Sequence, residues 1–129
     1  MTGHGSPATA LRVHAQGLYY LEAAAELLIS HHTWLHRRDF SGLINTFPAS
    51  DGTGLAHIDW HVAISALRNG QLPCSSSESA ILRIAASLAE GLPVDLRDAL
   101  SNLDHNNTLL VTRAVEHATG NHLKLDPLK

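Results

Sequence analysis

Histidine is the residue type with the most chemical potential in this chain, because ten of the 129 residues are histidines. Two pairs are spaced four residues apart, His32 with His36 and His57 with His61. On a helix this spacing places both imidazoles on one face, where they can chelate a divalent metal such as zinc. These four residues are therefore the candidate metal ligands of the sequence.

The same pairs have a simpler interpretation, which the sequence favours. A chain with so many histidines contains four-residue spacings by chance, and neither pair follows the His-Glu-x-x-His pattern of zinc hydrolases. Asp59 is also a suitable N-cap for the helix that follows it, which would leave His57 outside that helix. We therefore expect structural histidines and no cofactor. A histidine-based metal-binding protein or small metal-dependent enzyme is the alternative.

Cys74 is the single cysteine, and it directly precedes a serine-rich helix start. A thiol near a helix N-terminus can have a lowered pKa and act as a nucleophile. Catalysis by a cysteine also needs a base beside it, and no histidine can be assigned to that role. We therefore predict a small packing residue at this position and no catalytic residue in the chain.

Charge and composition exclude several classes of protein. The net charge of −3 argues against a nucleic-acid partner, because phosphate backbones are bound by basic faces. One cysteine cannot form an intrachain disulfide, and the opening residues lack the features of a secretory leader. No apolar stretch approaches the roughly 20 residues that a membrane-spanning helix needs. We predict a cytoplasmic protein that does not enter a membrane.

The second half of the chain has clear helix start and stop signals. Ser75 and Glu78 form a capping box, and Asp59, Asp95 and Asp104 are suitable N-caps. The predicted helices cover residues 60–69, 76–90, 96–102 and 105–118. Before them, residues 33–47 form a short amphipathic helical segment, and residues 48–54 form a loop dense in turn residues.

The first half is dominated by one predicted long helix, from residue 8 to residue 31 or 32, in which Gly17 marks a close crossing or small kink. Apolar residues cover more than one of its faces, leaving too little polar surface for a helix on the outside of a monomer. We therefore expect its surplus apolar surface to contact a second copy of the chain. The alternative is that residues 33–47 fold back and cover the helix within one chain. The candidate interface residues are Leu18, Leu21, Ala25, Leu28 and Trp34.

Residues 59–120 carry a resemblance to other proteins. A Leu-Pro-Cys-Ser run at residues 72–75 and the segment Ala-Ala-Ser-Leu-Ala-Glu-Gly-Leu-Pro-Val-Asp-Leu-Arg-Asp-Ala at residues 85–99 resemble small hypothetical helical proteins of actinobacteria. The resemblance covers about half of the chain. It carries over no activity, cofactor or site residue.

Together these observations predict one all-α domain over residues 1–129, a bundle of five or six helices with loose termini at residues 1–6 and 121–129. The predicted function is a non-catalytic protein-interaction or regulatory module. Self-association as a two-fold dimer is the favoured partnership, because such dimers are the commonest oligomers. A different protein partner is the second possibility for the same apolar surface.

Overall fold

The structure, a computed structural model, describes residues 6–121. Of these, 63% are helical, and they form seven α-helices and one two-stranded antiparallel sheet. The helices are α1 (Pro7–Ala15), α2 (Tyr19–His31), α3 (Arg38–Ser41), α4 (Trp60–Arg68), α5 (Ser76–Glu90), α6 (Leu96–Leu100) and α7 (His105–Ala118). The mostly helical prediction is confirmed, but the purely all-α prediction is wrong. Except for Ser6 and Asn121, the predicted loose termini lie outside the described residues.

The predicted long first helix is two helices, α1 and α2, that fold back on each other. Gly17 has a φ of +90°, a left-handed conformation that glycine adopts without strain and that ends α1. Arg12 forms an ion pair with Glu26, Nε to Oε2 at 2.6 Å. In one continuous helix these residues would lie about 21 Å apart. Gly17 is therefore a reversal of the chain rather than a small kink.

Strands β1 (Ile44–Pro48) and β2 (Gly54–Ile58) form a hairpin where the sequence predicted the end of a helix and a loop. Ile44 pairs with Ile58, and Pro48 pairs with Gly54. In the turn between them, the Asp51 side chain accepts the Thr53 backbone N–H at 2.9 Å. The burial of β2 alternates along the strand, with Ala56 and Ile58 buried, and the strand packs against α1.

The helix signals of the second half are confirmed. Asp59, Asp95 and Asp104 each accept a hydrogen bond from the backbone N–H three residues later. Ser75 and Glu78 make both bonds of the capping box. Gly91 ends α5 in the left-handed conformation. Such caps satisfy backbone groups that a helix end cannot pair by itself, so they operate locally and can be recognised in sequence.

Helix α2 lies at the centre of the fold, packed against α5 on one side and α7 on another, with α1 returning along it. The largest fully buried side chains are Leu27, Leu28, Trp34, Phe40, Ile81 and Leu82. The indole N–H of Trp34 donates to the backbone carbonyl of Glu78 at 2.9 Å, which satisfies the polar atom of this buried ring. Within the described part of the chain, no helix combines the length and the apolar character that crossing a membrane requires.

Candidate functional site

The start of the central helix α2 carries large apolar side chains that are exposed at the protein surface. We call this region the tyrosine surface and define it as Leu18, Tyr19, Tyr20 and Leu21. Leu18 is 58% exposed and Tyr20 is 63% exposed. These residues line a groove of about 610 Å³. Residues of the neighbouring helix ends complete its wall: Ala89, Glu90, Ala118 and Thr119. Leucine and tyrosine side chains displayed beside a groove favour contact with another protein surface.

The break between α1 and α2 holds the tyrosine surface in place. The Glu22 carboxylate accepts the Gly17 backbone N–H at 2.8 Å, which closes the reversal directly before Leu18. The other oxygen of Glu22 bonds to His117 Nε2 at 2.6 Å, so α7 is fastened to the same turn. Because two helices are tied to the start of α2, the exposed side chains project from a fixed backbone.

The predicted interface residues lie in two different environments. Ala25, Leu28 and Trp34 are buried inside the single chain, where α5, α7 and their neighbours already cover them. Leu18 is exposed and Leu21 is partly exposed. Of the five predicted interface residues, Leu18 and Leu21 are therefore the two whose side chains can reach a second copy in this fold.

The candidate metal ligands also separate into two groups. His32 and His36 lie together beyond the end of α2, with Nδ1 of His32 and Nε2 of His36 3.3 Å apart. His57 lies in β2 and His61 lies in α4, so their spacing is not that of one helical face. The ring of His57 contacts the rings of His14 and Phe47 instead. Among residues 6–121, no group of three or more His, Cys, Asp or Glu side chains is arranged to hold a metal ion.

Sequence reasoning missed the pairing of Glu22 with His117, which are 95 residues apart in the chain. With Arg12 and Glu26 they line a pocket of about 330 Å³ where α1, α2 and α7 meet. A carboxylate that orients an imidazole is also part of many catalytic sites. Here the Glu22 carboxylate also bonds to the Gly17 backbone N–H, so the cluster connects the α1–α2 turn to α7. No local sequence pattern predicts a contact between residues so far apart in the chain.

Cys74 is partly buried beside the start of α5. Burial raises the pKa of its thiol, and the nearby Glu78 carboxylate adds to the rise. Both effects disfavour the thiolate, which is the reactive form. The geometry therefore supports the interpretation of Cys74 as a packing residue.

Cys74 is expected to react slowly with iodoacetamide near neutral pH. The raised pKa keeps the thiol protonated in the folded protein, whereas unfolding in guanidinium removes the cause of the shift. Mass spectrometry of the alkylated protein over time should show alkylation several-fold slower in the folded protein than in the unfolded chain at the same pH. Faster alkylation of the folded protein would contradict a packing role.

His31, the last residue of α2, carries a buried Nδ1 atom without a hydrogen-bond partner. Burial lowers the pKa of its imidazole, and the carboxylates of Glu78 and Asp104 offset this only in part. The folded protein therefore holds His31 in its neutral form at a pH where an exposed histidine begins to take up a proton.

Acid is expected to destabilise the fold through His31. Above about pH 6.5 the imidazole is neutral in both states, whereas below it the unfolded chain binds the proton first and the free energy of unfolding falls. The free energy of unfolding stops falling once the pH is below the lowered pKa of His31 in the folded state. Denaturant melts at pH 7.5 and 5.5, with EDTA present, should show a smaller loss for His31→Leu than for the unaltered protein. Equal losses would contradict the effect.

The chain matches no protein-family model, no curated protein and no solved structure. The geometry of the chain's own residues is therefore the basis for assigning a function. Two features remain as candidate sites: the tyrosine surface and the His32–His36 pair.

Proposed function

We propose that the protein is a non-catalytic interaction module that self-associates as a two-fold dimer through the tyrosine surface. The observation that carries this proposal is the exposure of Leu18 and Tyr20 on a backbone fixed from both sides. Because the backbone that carries these side chains is already fixed, binding through them orders little additional backbone. Tyrosine is also enriched at the centres of protein interfaces.

The shape of the tyrosine surface fits a self-complementary contact. A two-fold axis brings the same patch of both copies together, so each copy must offer both a projecting group and a recess. Tyr20 projects, and the groove beside it is the recess. Glu90 at the groove wall offers a carboxylate that can accept a hydrogen bond from a tyrosine hydroxyl of the second copy.

Packing inside the chain limits the size of this contact. Because α5 and α7 cover most of α2, only its first turn and the adjoining helix ends are available to a second copy. A contact centred on so few side chains favours a dimer that dissociates on dilution rather than an obligate one.

Light scattering across the micromolar concentration range tests the proposed self-association. We expect the mean mass to rise with concentration from the chain mass of 13.9 kDa towards twice that value. A mass of one chain at every concentration would exclude the homodimer. A different protein would then be the remaining occupant of the tyrosine surface.

A further inference from the structure

His32 and His36 form an exposed pair of imidazoles beyond the C-terminal end of α2. Their ring planes are within 12° of parallel, with centroids 5.5 Å apart. Nδ1 of His32 faces Nε2 of His36 across 3.3 Å. In the metal-free pair, one of these nitrogens donates a proton to the other.

The separation of the two nitrogens is that of a zinc chelate. With zinc–nitrogen bonds of about 2.0–2.1 Å and tetrahedral angles, two ligand nitrogens lie about 3.3–3.4 Å apart. Rotation of the two exposed rings would turn the lone pairs of both nitrogens towards one point on the solvent side of the pair. The proton that the pair shares would move to the outer nitrogen of its own ring, so no net charge change is required.

The backbone supports the same interpretation. His32 has a φ of +74° and is the only non-glycine residue with a positive φ between residues 6 and 121. The position is the C-cap of α2, where its backbone N–H donates to the Leu28 carbonyl at 3.1 Å. Glycine is the usual residue at a left-handed helix end. A strained side-chain-bearing residue kept at such a position points to a use for its side chain.

The charged groups around the pair leave room for a cation. The guanidinium of Arg37 is bonded to the Asp39 carboxylate, Nε to Oδ1 at 2.9 Å. It also stacks over the Trp34 ring, 4.6 Å from the centroid. Its charge is therefore matched by a carboxylate and held against the core. Arg38 is exposed and free to extend into water.

We propose that His32 and His36 chelate one Zn²⁺ ion at the protein surface, with water at its remaining coordination positions. This site does not depend on the proposed self-association. The tyrosine surface begins at the opposite end of α2, about 20 Å away along a helix of 13 residues.

Isothermal titration of the untagged, EDTA-treated full chain with zinc chloride tests the site. We expect one Zn²⁺ per chain, and at least tenfold weaker binding for both His32→Gln and His36→Gln. His61→Gln is the matched control, because His61 is also exposed but lies on α4, and it should bind zinc like the unaltered protein.

A second variant separates loss of the site from loss of the fold. His32→Gly removes one ligand and relieves the left-handed backbone, so it should raise the melting temperature while weakening zinc binding at least tenfold. Unchanged affinity in the His32 and His36 variants would overturn the proposal. One Zn²⁺ per two chains, with doubled mass, would also overturn it, because the ion would then lie between copies rather than in a water-completed site.

Discussion

Replacement of Leu28 by glutamate is expected to unfold the chain. Leu28 is 0% exposed and lies in the core around α2. The substitution removes buried apolar contacts and places an unpaired carboxylate in an apolar environment. The expected cost is about 5 kcal/mol or more, which is comparable to the whole stability of a domain, about 5–15 kcal/mol. Far-UV circular dichroism should show loss of the helical signal at 25 °C or a large fall in melting temperature.

Leu18→Glu is the matched control for this experiment, because it makes the same chemical change at the N-terminal end of α2. Leu18 is 58% exposed and precedes the first turn of α2, where a carboxylate is favourable. Its melting temperature should stay close to that of the unaltered monomer. A Leu28→Glu protein as stable as Leu18→Glu would contradict the central position of α2.

Separation of the two copies is the second large effect, expected for Leu18→Glu and for Tyr20→Glu. Each substitution acts twice in a two-fold dimer, once in each copy. Burying a leucine-sized side chain contributes about 1.5–3 kcal/mol. Losing this burial in both copies should therefore weaken the free energy of dimerisation by about 3 kcal/mol, which is roughly a 100-fold increase in the dimer dissociation constant. Sedimentation equilibrium of the variants measures this change.

Leu96→Glu provides the control for the separation experiment. Leu96 is 53% exposed, nearly as much as Leu18, but it lies on α6 outside the tyrosine surface. The substitution should leave the dissociation constant unchanged. If Leu96→Glu weakened the dimer while Leu18→Glu did not, the contact would be on α6 and the assignment of the tyrosine surface would be wrong.

The parts of the fold that sequence could predict are those governed by local chemistry. Asp59, Ser75, Asp95 and Asp104 each accept a bond from a backbone group three residues away. A short window of sequence therefore contains both partners of the interaction. For the same reason the starts of α4, α5, α6 and α7 were predicted within a residue.

The parts that could not be predicted depend on partners distant in sequence. The reversal at Gly17 is completed by Glu22, which is itself held by His117 from α7. The apolar stripe of residues 8–31 is equally consistent with one long helix or with two helices packed together. Similarly, residues 44–48 form a strand because β2 pairs with them, and their own amphipathic pattern did not specify that pairing.

The candidate sites follow the same division. The nitrogens of His32 and His36 lie close together, although α2 ends at His31 and the two residues do not share the helical face that their spacing suggested. For the interface, the excess of apolar residues was visible in sequence. The sequence did not show that α5 and α7 cover much of that apolar surface. Ala25, Leu28 and Trp34 were therefore assigned to a contact between copies, although they pack within one chain.

The proposed contact between copies is tested most directly by isotope-filtered nuclear Overhauser measurements on a mixture of labelled and unlabelled chains. Such an experiment detects only proton pairs that lie close together across two different copies. We expect intermolecular signals from the Leu18 methyl groups and the Tyr20 ring. Intermolecular signals confined to other surfaces, such as Leu96 on α6, or no such signals at a concentration where the mass exceeds one chain, would contradict the proposed contact.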